Sequence, residues 1–270
     1  MVNSRASLPQ TRRRARLTGE GKSAGASKRL AKTTKAARKR RTPQEGLGPG
    51  AYAQIRDLIV ALKLSPGAPL SESELTLRLG VSRTPIRQAL HRLEQEGFVV
   101  VHRHGSISRL YVAPLTIADM KELHAIFSAL EGLAARSVAQ LPDAPRLEIA
   151  ARMRQLNEEL RAAWQARPGR LRDAQELHVR FHRTLDEAVT SRRLSNELQA
   201  LQPQVERYER VYTAAMVSDF GDALQEHDEL TAAIAAGDPD AAERCAIANW
   251  RRGSERYARV VQDIGERGSW

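Results

Sequence analysis

The most restrictive feature of this chain is the short turn Gly80-Val81-Ser82, set between two helical patterns. Before it, Ser71 and Glu74 form an S-x-x-E capping box, and Leu75 and Leu79 carry one helix as far as Gly80. After it, Ser82 stands where a helix needs an N-cap. Pro85 is tolerated there because it falls in the first turn, where backbone donors have no intrahelical acceptors. Two helices must therefore meet at a tight angle. An earlier helix, with Tyr52, Ile55, Leu58, Ile59 and Leu62 on one face, ends at Pro66-Gly67.

The second helix of the pair carries the chemistry. Ile86, Ala89, Leu90 and Leu93 form its apolar stripe, which leaves Arg83, Thr84, Arg87, Gln88 and His91 on the opposite side. Such side chains read base edges and phosphates in a major groove, although a solvated face has much the same charge. The sequence beyond this helix favours the first reading. Val99 and Val101 lead into a turn near His104-Gly105-Ser106, and Leu110-Tyr111-Val112 lead back out. Residues 46–115 thus read as a winged helix-turn-helix whose hairpin tip is free to approach the DNA backbone or minor groove.

The run from Leu75 to Phe98 closely resembles the signature of the GntR family of bacterial transcription regulators. It contains V-S-R-T-P-x-R-x-A-L from Val81 to Leu90, then R-L-E-x-E-G from Arg92 to Gly97, and a later His-Gly wing tip. The resemblance implies that Arg83 and Arg87 contact a double-stranded DNA operator, helped by Ser82, Thr84, His104 and Gly105. Gln88 joins them by its place on the exposed face. Many relatives carry a further DNA-contacting Arg where this chain has Ser73.

Charge divides the chain unevenly. The net +11 comes from 43 Lys/Arg against 32 Asp/Glu, yet residues 1–45 alone hold 14 bases against Glu20 and Glu45. The remaining 29 bases and 30 acids nearly cancel. Residues 1–45 read as a disordered basic tail, rich in small and polar residues and without aromatics, able to bind polyanions by counterion release. Gly46-Leu47-Gly48-Pro49-Gly50 separates it from the body. The lone Cys245 points to a reducing compartment, and no apolar run approaches a membrane span. The expected location is the bacterial cytoplasm, in association with the nucleoid.

Residues 116–270 have few strand signals and many helix formers, with helices expected over 116–140, 144–166, 170–190, 192–215, 219–236 and 239–263. The fold expected is mainly α: a winged helix with a small hairpin, followed by an all-helical bundle. The unusual feature is where the histidines sit, of which the whole chain has only seven. His178 lies on the stripe of Leu171, Ala174, Phe181 and Leu185, with His182 one turn on, and His227 lies on the stripe of Ala223, Leu224, Leu230 and Ile234. Imidazoles converging in a bundle suit a divalent transition metal such as Zn or Ni. Equally, they suit a metal-free pocket that uses the same rings as hydrogen-bonding groups.

This region resembles the FCD effector domain of the FadR subfamily. Many FCD domains bind metal through D-x-x-F-H, a later E-H and a His in the last helix. Here His178-Val179-Arg180-Phe181-His182 matches with His for Asp, Glu226-His227 matches the second element, and Asn249 stands at the last. Metal-binding relatives also carry an effector-pairing Arg four residues before a Glu; the equivalent residue before Glu131 is Phe127, with His124 one turn earlier. Loss of that fork weakens the case for a simple carboxylate, although an organic acid remains an expected effector class. Phe127, His124, Asn249, Arg207 and Tyr208 are the expected pocket residues, the last two standing equally well on a solvated face.

The resemblance implies a ligand-responsive homodimer, usually a repressor, on a short palindromic operator, with no membrane partner. The rival readings are a DNA-compacting architectural protein and a metal-dependent hydrolase. The hydrolase is disfavoured because no H-E-x-x-H is present.

Overall fold

A computed structural model of the chain describes residues 50–105, 107–166, 169–215 and 220–268. The basic tail and Ser106 lie outside them, as does the side chain of His104. The described chain is mainly helical, with one three-stranded antiparallel sheet.

Helix α1 (Ala51–Val60) buries Ile55 and Ile59, and the chain then turns through Gly67 into a two-residue strand, β1 (Pro69–Leu70). Helix α2 (Glu72–Leu79) starts at Ser71, whose hydroxyl accepts from the Glu74 amide. It ends at Gly80 with φ +68°, a left-handed conformation that a Cβ would strain. Helix α3 (Arg83–Gln95) follows directly. Ser82 occupies its N-cap position, but its side chain makes no capping hydrogen bond, contrary to the sequence expectation. Strands β2 (Val99–His104) and β3 (Ile107–Val112) form the expected hairpin, with Val100 opposite Tyr111 and His102 opposite Arg109.

Strand β1 was not expected. It pairs antiparallel with β3, Pro69 against Tyr111 and Leu70 against Leu110, so the sheet order is β1-β3-β2. Two residues are too few to show an alternating pattern, which is why periodicity missed it. Ile55, Ile59, Leu75, Ile86, Leu90, Leu93, Phe98 and Val112 close a small core between helices and sheet.

The rest is a second, larger core built by six helices: α4 (Ile117–Ala139), α5 (Asp143–Gln165), α6 (Leu171–Glu187), α7 (Arg192–Tyr212), α8 (Phe220–Ala236) and α9 (Pro239–Ile264). Their boundaries follow local chemistry. The side chains of Thr116, Ser191 and Asp238 accept from the amides of Asp119, Leu194 and Ala241 at the starts of α4, α7 and α9. Helices α4 and α9 pack so closely that a Cβ on Gly132 would lie 2.8 Å from Ile247 Cγ1. No described helix is long and apolar enough to cross a membrane.

Helix α7 joins the two cores. Gln204 Nε2 donates to the Glu96 carbonyl at the end of α3 at 2.8 Å, and Arg207 Nη2 donates to the Ala113 carbonyl after β3. The Tyr208 hydroxyl donates to Asp119 Oδ2 at 2.6 Å and accepts from the Thr116 amide. Leu115 is also paired through both backbone groups with Arg267 near the chain's end.

Candidate functional site

Two sets of residues carry functional chemistry, one exposed and one buried. On α3, Ile86, Ala89, Leu90 and Leu93 face the core, which turns Arg83, Thr84, Arg87 and Gln88 to solvent together with Ser82. Arg87 Nε donates to Glu72 Oε2 at 2.8 Å, and both guanidinium Nη atoms lie on a side chain that is 67% exposed. That pair is worth at most about 1 kcal/mol in water. Gly105 forms the hairpin turn with φ +59°, and Ile107 beside it is exposed.

The buried set lies in the helical core. Helix α6 places His178 and His182 on the face that also buries Ala174, Phe181 and Leu185, and α8 brings His227 against them. One ring nitrogen of each histidine lies within 4.8 Å of one on each of the others. The rings of His178 and His227 stack at 5.4 Å, and His182 stands edge-on to both. Asn249 does not join the triad; its amide donates to Glu226 Oε2 at 2.9 Å.

The ring orientations follow from what holds Nδ1. His182 Nδ1 is 3.0 Å from Glu131 Oε1, and His227 Nδ1 is 3.0 Å from Asn157 Oδ1, which leaves Nε2 of both for coordination. His227 Nε2 has no hydrogen-bond partner among the described residues. His178 Nδ1 lies 3.5 Å from Glu209 Oε1. Metal-bound histidines are oriented by such oxygens, so the donor set and its supports fit a divalent cation. Burial keeps the rings neutral, the form a metal requires: it lowers His182 to about 4 and takes His178 and His227 well below 6.5, helped there by neighbouring cationic groups.

Sequence reasoning missed the acids around this cluster. Glu131 is fully buried and accepts from Trp250 Nε1 as well as facing His182, and burial pushes it up to about 8. Burial pushes Glu209 to about 8 as well, and Asp186 to about 9 with Glu131 adding to the shift. These carboxyls favour the protonated form until a positive charge is supplied nearby. Asn157 and Arg256 were also missed. The available signal was a polar residue on a buried stripe: Glu131 between Phe127 and Ala135, Asn157 among Met153, Leu156 and Leu160, and Glu209 between Val205 and Tyr212.

Beside the triad is a small cavity of about 30 Å³, whose walls include His124, Glu209, Asn249, Trp250, Arg256 and Tyr257. His124 and Asn249 were expected there. Phe127 stands behind the wall, packed on Trp250 with ring centroids 4.8 Å apart. Arg207 and Tyr208 do not line it. They are neither pocket residues nor a solvated face, because α7 buries them against Ala113, Thr116 and Asp119. A larger open groove of about 990 Å³ lies elsewhere, between Ala61 and Leu62 and helices α5–α7. Its charges are mixed and mostly exposed, whereas the small cavity holds the buried groups.

His124 gives a testable pH dependence. Neither of its ring nitrogens has a hydrogen-bond partner among the described residues, and burial lowers it from 6.5 to about 4. Between those values the unfolded chain binds more protons than the folded one, so stability falls as pH drops from 6.5 towards 4. The expected loss from this one group is about 3 kcal/mol. Urea unfolding at pH 7 and pH 4 should show a smaller acid loss for His124→Leu by about that amount. An unchanged pH dependence would show that His124 does not titrate in this way.

Comparison with known proteins bears on the family and the fold. The model for bacterial regulatory proteins of the gntR family matches residues 48–108, and the FCD domain model matches residues 122–252. An HTH-type transcriptional regulator from Agrobacterium vitis, located in the TAR-I ttuE-ttuC' intergenic region, is 35% identical over 50% of this chain and 76% of its own. The HTH-type transcriptional repressor RspR of Escherichia coli is 27% identical over 82% of this chain and 93% of its own. The solved structure of E. coli McbR/YncC shares the fold, with a TM-score of 0.58 at 19% identity over 80% of this chain and 97% of that one.

Proposed function

This chain belongs to the GntR family of bacterial regulatory proteins and carries an FCD domain, and on that premise we propose that it is a homodimeric operator-binding regulator governed by the buried cavity. Residues 46–115 bind DNA, with Arg83 and Arg87 reading bases, Ser82, Thr84 and Gln88 beside them, and His104 and Gly105 at the wing. Residues 116–270 sense and dimerise. The observation that carries this reading is helix α7. It brings Glu209 to the cavity and, within two turns, Gln204 and Arg207 to the Glu96 and Ala113 carbonyls that flank the recognition helix and wing. A ligand that favours one position of α7 changes DNA affinity only by its difference in affinity between the two arrangements. Repression relieved by effector is the proposed sense.

Selection of DNA from a random library by the full chain tests this. A two-fold symmetric sequence is expected, since two α3 helices related by a dyad read matching half-sites. Enrichment of no sequence would favour the architectural reading. Dimerisation is supported by the exposed apolar residues Ile126 and Leu133 on α4 and Ile247 on the adjoining α9.

His178, His182 and His227 would hold a divalent cation, Zn or Ni by their imidazole chemistry. When bound, such a cation would supply positive charge that favours ionised Glu131 and Glu209. Glu131 and Asn157 hold two of the rings in place. Glu226, the carboxylate a hydrolase would need beside His227, is bound by both Arg256 Nη atoms and by Asn249. A cytoplasmic location follows from the regulatory role.

The basic tail is proposed to add affinity without choosing the site. Deleting residues 1–45 is expected to flatten the dependence of log affinity on log salt by about 0.9 for each phosphate that the tail neutralises, while the selected sequence stays the same. A changed sequence preference would show that the tail takes part in recognition.

A further inference from the structure

The cavity beside the histidines ends on an acid. Glu209 is 2% exposed, and its Oε2 has no hydrogen-bond partner among the described residues. Its other oxygen lies 3.5 Å from His178 Nδ1. The arginine that shares the cavity wall, Arg256, is already neutralised: Nη1 and Nη2 donate to Glu226 Oε1 and Oε2 at 2.8 and 2.7 Å. Aromatic rings form much of the remaining wall, with the His124 ring 5.4 Å from Trp250 and 5.8 Å from Tyr257.

A buried carboxyl oxygen with no donor is costly, and the cost is met when a ligand brings the donor. A carboxylate ligand would bring no positive charge to favour ionised Glu209. An ammonium would instead form a charge-assisted hydrogen bond, and aromatic faces favour a cation close by. We propose that the ligand of this cavity is a small molecule carrying a protonated amine, received by Glu209 Oε2, with its carbon skeleton packed among His124, Trp250 and Tyr257. This rests on the reading of the cavity as the effector site. At about 30 Å³ the cavity admits little more than a water, so the ligand widens it. Asn249, Trp250, Arg256 and Tyr257, four of its lining residues, all lie on α9.

The test is calorimetric titration of the full chain with three matched pairs: propylamine and propionate, 1,4-diaminobutane and succinate, 2-phenylethylamine and 3-phenylpropionate. At least one amine is expected to bind saturably and at least about tenfold tighter than its partner acid, the worth of one charge-assisted hydrogen bond. Glu209→Gln, which keeps the shape and removes the charge, should bring that pair to within about threefold. If this variant does not fold, the wild-type comparison decides alone. Saturable binding of carboxylates in preference to amines, or an amine preference that survives Glu209→Gln, would overturn the amine and leave the effector site standing. Binding of none of the six would overturn both.

Discussion

Replacing Arg83 and Arg87 together by alanine is expected to lower operator affinity by more than about 10³-fold, to the level of random DNA. Both side chains are exposed on a helix whose buried face is separate, so the fold should be unaffected. A bidentate arginine–guanine contact is worth roughly 1–3 kcal/mol, and a dimer would lose four of them. The Arg87–Glu72 pair does not offset this, being solvated and worth less than a single base contact. Fluorescence anisotropy at one fixed salt concentration, with circular dichroism as the control for folding, measures the effect. A retained preference for operator would move recognition away from α3.

Removal of metal is expected to have the second largest effect. A cation present at a thousand times its dissociation constant stabilises the folded chain by about 4 kcal/mol. For a domain of this size, chelation should then lower the melting temperature by on the order of 10 °C. His182→Ala and His227→Ala should each abolish stoichiometric metal in elemental analysis and make melting insensitive to chelator. Asn249→Ala should retain metal, because its amide is engaged by Glu226 rather than by the triad. Wild-type protein that carries no metal after equilibration with Zn or Ni, and melts identically with and without chelator, would identify the triad as part of a metal-free pocket.

Short-range pattern made much of this legible. The two-helix turn, the exposed Arg83–Gln88 strip and the helix stops at Pro142, Ser191 and Gly237 are local features, and the structure places helices accordingly. The histidines were legible because three imidazoles on apolar stripes are uncommon. What sits behind them was not, because Glu131, Asn157 and Glu209 act through contacts between helices distant in sequence. Arg207 and Tyr208 show the same limit. A polar residue reads as solvent-facing unless the backbone carbonyl or carboxylate that needs its hydrogen is known, and here Ala113 and Asp119 provide the acceptors. Strand β1 is defined by its partner Tyr111 rather than by its own two residues.

Regulation in this proposal depends on transmission of the state of the buried cavity along α7 to the recognition helix. Operator dissociation constants measured for chelated and for zinc-replete full-length protein, in wild type and in Gln204→Ala, test it most directly. Wild-type affinity should differ at least about fivefold between the two states, the low end of allosteric coupling, and Gln204→Ala should bring the difference down to within about twofold. Equal wild-type affinities in the two states would contradict transmission through α7.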